Sequence, residues 1–479
     1  MSELTTRHAG APPLDPLPLS PPGAWEPLFR LAKLAGRPLD RFLRIEAASG
    51  ILLVAAAVVA MVWANSPWAS SYERLWHTPV GMRLGPVVLE RDLLWLVNDV
   101  LMVIFFFFVG MEIRREIHHG ELSEWRRAAL PAAAAIGGML VPAALCSIVT
   151  VGSDASDGWG VPMATDIAFA VGVVTILGRR IPAALRVLLL ALAVIDDLGG
   201  IVVIALFYSP HIAGWGLALA AVGLGGIFAL QALGVRRRNA YLLPGFGIWA
   251  GILASGIHPA VAGVIIGLVT PVRAWLGPDG FLRSVRRDLD HLSAVDHSHM
   301  SAHELSETLH HVDLARREAL SPAEGLIEEL HPWVAFVIMP VFAFANAGVS
   351  LRGVTLEGPA ARLSVAVAVG LVIGKPVGVL LASALALAGR VAILPLGLSY
   401  RHLTVLGLTT GIGFTMAIFI GSLAFDDAPG LLAATKLGVL AASATAAALA
   451  LAAGRLLLPA IPTPGAALTA DEAESSTEL

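Results

Sequence analysis

Nine stretches of this chain are long enough and apolar enough to cross a lipid bilayer as helices, near residues 46–65, 94–112, 128–151, 184–208, 212–233, 332–350, 361–388, 402–425 and 431–458. A helix needs roughly 18 or more apolar residues to traverse the hydrocarbon, and water offers such runs no stable exposed state. Three shorter or glycine-interrupted segments, near 160–177, 239–254 and 257–271, bring the expected total to about twelve crossings. Of 479 residues 56% are hydrophobic and only 14% charged, too little charge to cover a water-soluble surface of this size. The fold class that follows is an all-α integral membrane protein. The expected organisation is a disordered cytoplasmic tail over 1–41, a membrane domain over 42–458, and an acidic cytoplasmic tail over 459–479.

Lysine and arginine set the expected orientation, because cytoplasmic loops accumulate them. Arg30, Lys33, Arg37, Arg41 and Arg44 precede the first span, and Arg114, Arg115, Arg126 and Arg127 follow the second. Further clusters follow the fourth span (Arg179, Arg180, Arg186), the sixth (Arg236, Arg237, Arg238) and the eighth (Arg273 to Arg317). Residues 152–160, 209–214, 255–257 and 426–430 carry none. The alternation predicts both termini on the cytoplasmic side of a bacterial inner membrane. Arg74, Arg83 and Arg91 depart from it, in a segment where LGPVVLERDLLW (84–95) reads as a small β-hairpin on the outer face.

Two segments are irregular where a simple span would be leucine and valine. Gly160–Gly172 holds Pro162, Thr165 and Asp166; Gly407–Thr415 holds Gly411, Gly413 and three threonines. The first is the middle of the third to fifth crossings and the second the middle of the tenth to twelfth. Irregular backbone at membrane depth survives only where protein or a water-filled cavity satisfies its hydrogen bonds, and paired interruptions in corresponding positions point to a transporter's midplane site. Close packing through small residues is the plainer reading of the second segment.

Four ionisable residues fall inside spans: Asp166, the pair Asp196 and Asp197, and Lys375. Charge at the bilayer centre costs a few kcal/mol or more, so each marks function by default. Neighbours on a helix point about 100° apart, so one carboxylate of the pair can face an ion cavity while the other meets a neighbouring helix, where Lys375 is the candidate cation. Carboxylate oxygens suit a hard monovalent cation and bind protons equally well. Competition for one site couples opposite flows of the two. No phosphate loop and no paired cysteines occur, so an ion gradient is the expected energy source and no cofactor is expected. An intramembrane aspartyl protease, pairing Asp166 with a later aspartate, is disfavoured by the adjacency of Asp196 and Asp197, by the lysine and by the absence of Gly-x-Gly-Asp. A passive cation channel calls for a ring of acidic residues or carbonyls. Nothing in the charge pattern suggests nucleic acid.

NDVLMVIFFFFVGMEIRRE (98–116), PMATDIAFAVG (162–172), LALAVIDDLGGIVVIALFY (190–208), HPAVAGVIIGLVTP (258–271), LHPWVAFVIMPVFAFANAGVSL (330–351), GKPVGV (374–379) and LTTGIGFTMAIFIGSLAF (408–425) together resemble the NhaA-type sodium/proton antiporters. The resemblance covers about 42–458. It implies inverted repeats with two broken helices, and electrogenic, pH-regulated export of Na+ or Li+ against H+. By position it implies Asp197 as principal cation ligand and proton carrier, Asp196 as its neighbour, and Thr165 in the binding region. Asp166 and Lys375 would compensate helix-end charges. Glu112, Glu116 and His258 fall at positions tied to pH response, and Asp99 at an acidic position near the outer end of the second span. A homodimer through the outer hairpin is implied as well. Glu328 and Glu329 look shifted by about one position from the family's acidic residue, so no sensor is assigned there. The loop at about 272–330 departs most. It carries His291, His297, His299, His303, His310 and His311 within 288–311, and the four-residue spacing of His299 and His303 would suit two ligands on one helix face. A solvated loop, or one tuning pH response, is the favoured reading, and no metal is assigned.

Overall fold

The computed structural model describes residues 46–84, 87–209, 212–235, 238–294, 301–351 and 357–459. The tails expected over 1–41 and 459–479 lie outside the described residues, Pro459 excepted, as do the basic residues before the first span, Arg236, Arg237, His297 and His299.

The chain is helical with one exception. Helix α1 (Glu46–Ala64) turns through 118° into the short α2 (Ala69–Trp76). Two antiparallel strands follow, β1 (Pro79–Leu84) and β2 (Val87–Asp92), paired from Pro79 with Asp92 to Leu84 with Val87. The hairpin thus starts earlier than the LGPVV stretch suggests. Asp92 closes it twice over: one oxygen contacts His77 at 3.0 Å and the other accepts the Trp95 N–H, capping the next helix.

That helix is α3 (Leu93–His119), followed by α4 (Trp125–Thr150). A tight 3₁₀ segment, Ser156–Met163, leads through an extended link to α5 (Ile167–Leu177), and α6 (Ala183–Phe207) and α7 (Gly214–Ala232) follow. Next come α8 (Leu242–Ser255) and α9 (Ala260–Val269). Beyond α10 (Gly277–Ala294) and α11 (Ala302–Ala319) run α12 (Pro322–Asn346) and α13 (Gly358–Ala388). The second broken helix comprises α14 (Tyr400–Thr410) and α15 (Phe414–Ala424), bent by 44°, and α16 (Pro429–Leu457) ends the described chain.

Each segment read from the sequence as a span holds helix. Among the described residues eight helices meet the length and apolarity of a crossing, or ten when each bent pair counts as one. The exceptions are α8 and α9, at 14 and 10 residues. At 1.5 Å per residue they fall short of the ~30 Å hydrocarbon. Outward-facing side chains such as Val62, Leu140, Ile148, Val222 and Leu243 are apolar and exposed, the arrangement of a protein solvated by lipid.

The polar loop expected over 272–330 is mostly helix. Its apolar residues recur at helical spacing in α10 and α11, which pack on each other. Ser321 starts α12 well before residue 332, where the span was read to begin: its hydroxyl accepts the Glu324 N–H while Glu324 accepts the Ser321 N–H.

Three helices widen by a π turn, at Leu96–Leu101 in α3, Val334–Ile338 in α12 and Gly370–Gly374 in α13. Proline explains two of them. Pro340 and Pro376 lack an N–H for the carbonyl four residues back, and that carbonyl falls inside the widened turn each time. The turn in α13 ends immediately before Lys375. Helices α4 and α13 meet where Gly137 and Gly378 face one another, each with the other's carbonyl where a Cβ would stand. Only glycine permits that approach, and it brings Lys375 towards the broken helices.

Candidate ion-binding site

The two interrupted segments cross. Between the 3₁₀ segment and α5 the chain is extended over 164–166, and between α14 and α15 it is non-helical over 411–413. The links bond to each other: the Asp166 N–H donates to Ile412 O at 2.7 Å, and the Thr165 hydroxyl to Thr410 O at 3.2 Å. Gly413 allows the contact, since a Cβ there would stand 3.0 Å from Ala164 O.

A crossing of this kind aims helix ends at one another. Asp166 answers the positive ends. One carboxylate oxygen accepts the Phe169 N–H at 2.9 Å, capping α5, and the other accepts the Thr415 N–H at 3.1 Å and the Thr415 hydroxyl at 2.5 Å, at the start of α15. Lys375 answers a negative end: its ammonium donates to Met163 O, where the 3₁₀ segment finishes. Asp166 and Lys375 are fully buried.

Lys375 also donates to Asp196 Oδ2 at 2.7 Å. The other oxygen of Asp196, and Oδ2 of Asp197, are buried with no hydrogen-bond partner among the described residues. Buried carboxylate oxygens are nearly always satisfied, so bare ones at the centre of a protein call for a ligand. Asp197 lines a small cavity with Phe106, Ala164, Gly200, Ile201, Ile204, Met416, Phe419 and Ile420. An anionic oxygen in such a setting binds a proton or a hard cation. Thr165 is fully buried beside this cavity's Ala164, its hydroxyl committed to Thr410.

The remaining candidates separate into two groups. Glu112 and Glu116 stand near the end of α3: Glu112 lies 3.7 Å from Arg115, and Glu116 accepts the Glu121 N–H at 2.7 Å. His258 is elsewhere, with Nε2 3.6 Å from Asp99 Oδ1. Its Nδ1 accepts the Ala260 N–H at 3.2 Å, which leaves Nε2 to carry the proton facing Asp99. The His258 ring lies edge-on to Phe419, 5.2 Å between centroids, and Phe419 walls the Asp197 cavity.

Sequence reading missed Phe419 and Met416, whose apolar character in a span distinguishes them from nothing around them. It also missed the amide pair Asn98 and Asn346, joined at 2.7 Å, which asparagine inside an apolar run does signal. Both Asp166 oxygens accept bonds from helix ends, and no bond joins Asp166 to Asp196 or Asp197 among the described residues. His303, His310 and His311 on α11 are exposed, and no cluster of three or more metal-ligating side chains occurs among the described residues.

Crossed broken helices around buried carboxylates, in a shell of apolar helices, define an ion-coupled secondary transporter. The family model described as Na+/H+ antiporter 1 matches residues 40–453, and the chain belongs to that family. It is 62% identical over 459 residues to Na(+)/H(+) antiporter NhaA 2 of Myxococcus xanthus, covering 96% of this chain and 97% of the relative. Against the protein of that name from Sorangium cellulosum identity is 53%, over 96% of this chain and 98% of the other. Against Na(+)/H(+) antiporter NhaA of a Janthinobacterium species it is 46%, over 91% and 97%.

Proposed function

We infer that this protein is a secondary antiporter that exports Na+ or Li+ in exchange for H+, electrogenically and under pH control, in the service of sodium and pH homeostasis. The observation that carries this reading is the division of labour within one dipeptide. Asp196 is held by Lys375, while Asp197 keeps a bare oxygen and lines a cavity. On this reading Asp197 is the shared carrier of cation and proton, with Asp196 and Thr165 beside it. A cation arriving at Asp197 displaces protons from Asp197 and Asp196, more protons than cations, which makes the exchange electrogenic. The loaded site then faces the other side, where protons displace the cation.

The same reading places the chain in the bacterial inner membrane with about twelve crossings in inverted repeats and both termini in the cytoplasm. The short α8 and α9 would cross with help from the helices packed on them. Glu112, Glu116 and His258 belong to the pH response and Asp99 to the outer mouth. The hairpin β1–β2 is the contact of a homodimer. The transported ions suffice, with no resident cofactor.

Purified protein in liposomes, loaded with a pH-reporting dye and given an outward Na+ gradient, tests the proposal. Efflux of ²²Na+ should acidify the lumen and generate a voltage. Sodium flux without proton counterflow would refute it.

A further inference from the structure

A cavity outside the Asp197 site lies where the first turn of α4 meets the chain leaving α13. It measures about 510 Å³ and is lined by Arg126, Leu387, Arg390, Val391, Ala392, Ile393 and Leu394. Two features are unusual. Two arginines line one cavity, no acidic residue lines it among the described residues, and neither arginine forms an ion pair among them. Neighbouring Arg127, by contrast, is paired with Glu124 at 3.1 Å. Like charges facing one space repel unless an anion sits between them.

Beside the arginines the lining is aliphatic, from Leu387, Val391, Ala392, Ile393 and Leu394. Val391, Ile393 and Leu396 are exposed, Leu396 almost completely, in a short segment that water would penalise. Exposed Trp125 stands next to Arg126, the aromatic placement typical of the membrane–water interface. The backbone is built for this placement. Arg390 has φ +56°, alone in the left-handed region among the described non-glycine residues. The N–H groups of Arg390, Val391 and Ala392 turn back onto Leu387 O and Ala386 O. Those bonds occupy the carbonyls of Ala386 and Leu387 at the end of α13. The first turn of α4 contributes the positive end of a helix.

We propose that this cavity binds the phosphate headgroup of an anionic phospholipid, held between Arg126 and Arg390, with an acyl chain along Leu387, Val391 and Ile393. Basic pockets between membrane helices on the arginine-rich side recognise such headgroups. The aliphatic side chains beside the arginines select a lipid over a free anion. The bound lipid ties the far end of α13, the helix of Lys375, to α4. The site is independent of the antiport reading and needs only that these helices stand in a membrane.

The test uses the purified full chain in neutral detergent, with bound lipid read by native mass spectrometry and stability by thermal unfolding. Phosphatidylglycerol should be retained and should raise the unfolding temperature, and phosphatidylcholine and inorganic phosphate should do neither. The double variant R126Q/R390Q should bind phosphatidylglycerol about 30-fold more weakly, at ~1 kcal/mol for each arginine. Equal retention by the double variant overturns the proposal, as does equal stabilisation by inorganic phosphate. Should the double variant fail to fold, I393D places a carboxylate in the cavity and should expel the lipid. Undiminished retention there overturns it equally.

Discussion

Asp196 and Asp197 are chain neighbours with opposite circumstances: Asp196 lies 2.7 Å from the Lys375 ammonium, while Asp197 opens on a cavity walled by Phe106, Met416 and Phe419. One turn of helix geometry achieves this, because adjacent side chains diverge by about 100°. The lysine holds one oxygen of Asp196, and Asp197 is the freer of the two to exchange its ligand.

The two aspartates should therefore differ when neutralised. Asp197→Asn should abolish the sodium-driven dissipation of a pH gradient in everted vesicles. Asp196→Asn should keep measurable cation binding by calorimetry at alkaline pH. Equal loss in both would show that the site is shared.

Removing the lysine strands a buried carboxylate. Lys375→Met should lower unfolding free energy by about 3–5 kcal/mol, the cost of breaking a buried pair from one side. Lys375→Met with Asp196→Asn should recover much of that loss, since neither charge remains. Thermal unfolding of the single and double variants, compared as a cycle, measures the coupling. By contrast, Arg238 and Glu329 pair at 2.8 Å but are largely exposed, so Glu329→Gln should cost at most about 1 kcal/mol.

Asp166 serves two helix ends with two oxygens. Asp166→Asn keeps one acceptor but turns an NH₂ towards donors, either Phe169 N–H or the Thr415 pair. The expected cost is about 1–3 kcal/mol, read by thermal unfolding. Thr415→Val should cost less, because the Thr415 backbone N–H keeps its acceptor.

Competition has a pH signature. Each proton that a cation displaces should raise the apparent sodium Kd about tenfold for each unit of pH below that group's own titration, levelling off above it. Calorimetry across a pH series measures the slope, and a flat profile would separate the two ions' sites.

Gly378 faces the Gly137 carbonyl across the α4–α13 contact. Gly378→Leu should separate the two helices and destabilise by about 1–3 kcal/mol or more, with transport falling as Lys375 is drawn from Asp196.

Most of the spans were legible because burial in lipid is written into composition over some twenty residues. The charged site was legible for the complementary reason: Asp166, Asp196, Asp197 and Lys375 stand out where every neighbour is apolar. What lay hidden depends on distant meetings. Nothing near His258 announces Asp99, and nothing in IFIGS marks Phe419 as the wall between that pair and Asp197. The helices α10 and α11 read as loop because a half-polar helix outside the membrane shares its composition with one. The 3₁₀ segment Ser156–Met163 has no periodic pattern to show, and its ending at Met163, where Lys375 binds, could only be seen folded.

The bond from Asp166 to Ile412, with that from Thr165 to Thr410, leaves neither interrupted helix free to straighten alone. Unwinding one would orphan main-chain groups of the other, deep where no solvent can replace them. Whatever turns the ion from one side to the other must therefore carry this knot as a single rigid cargo, with the bending left to the helices that surround it.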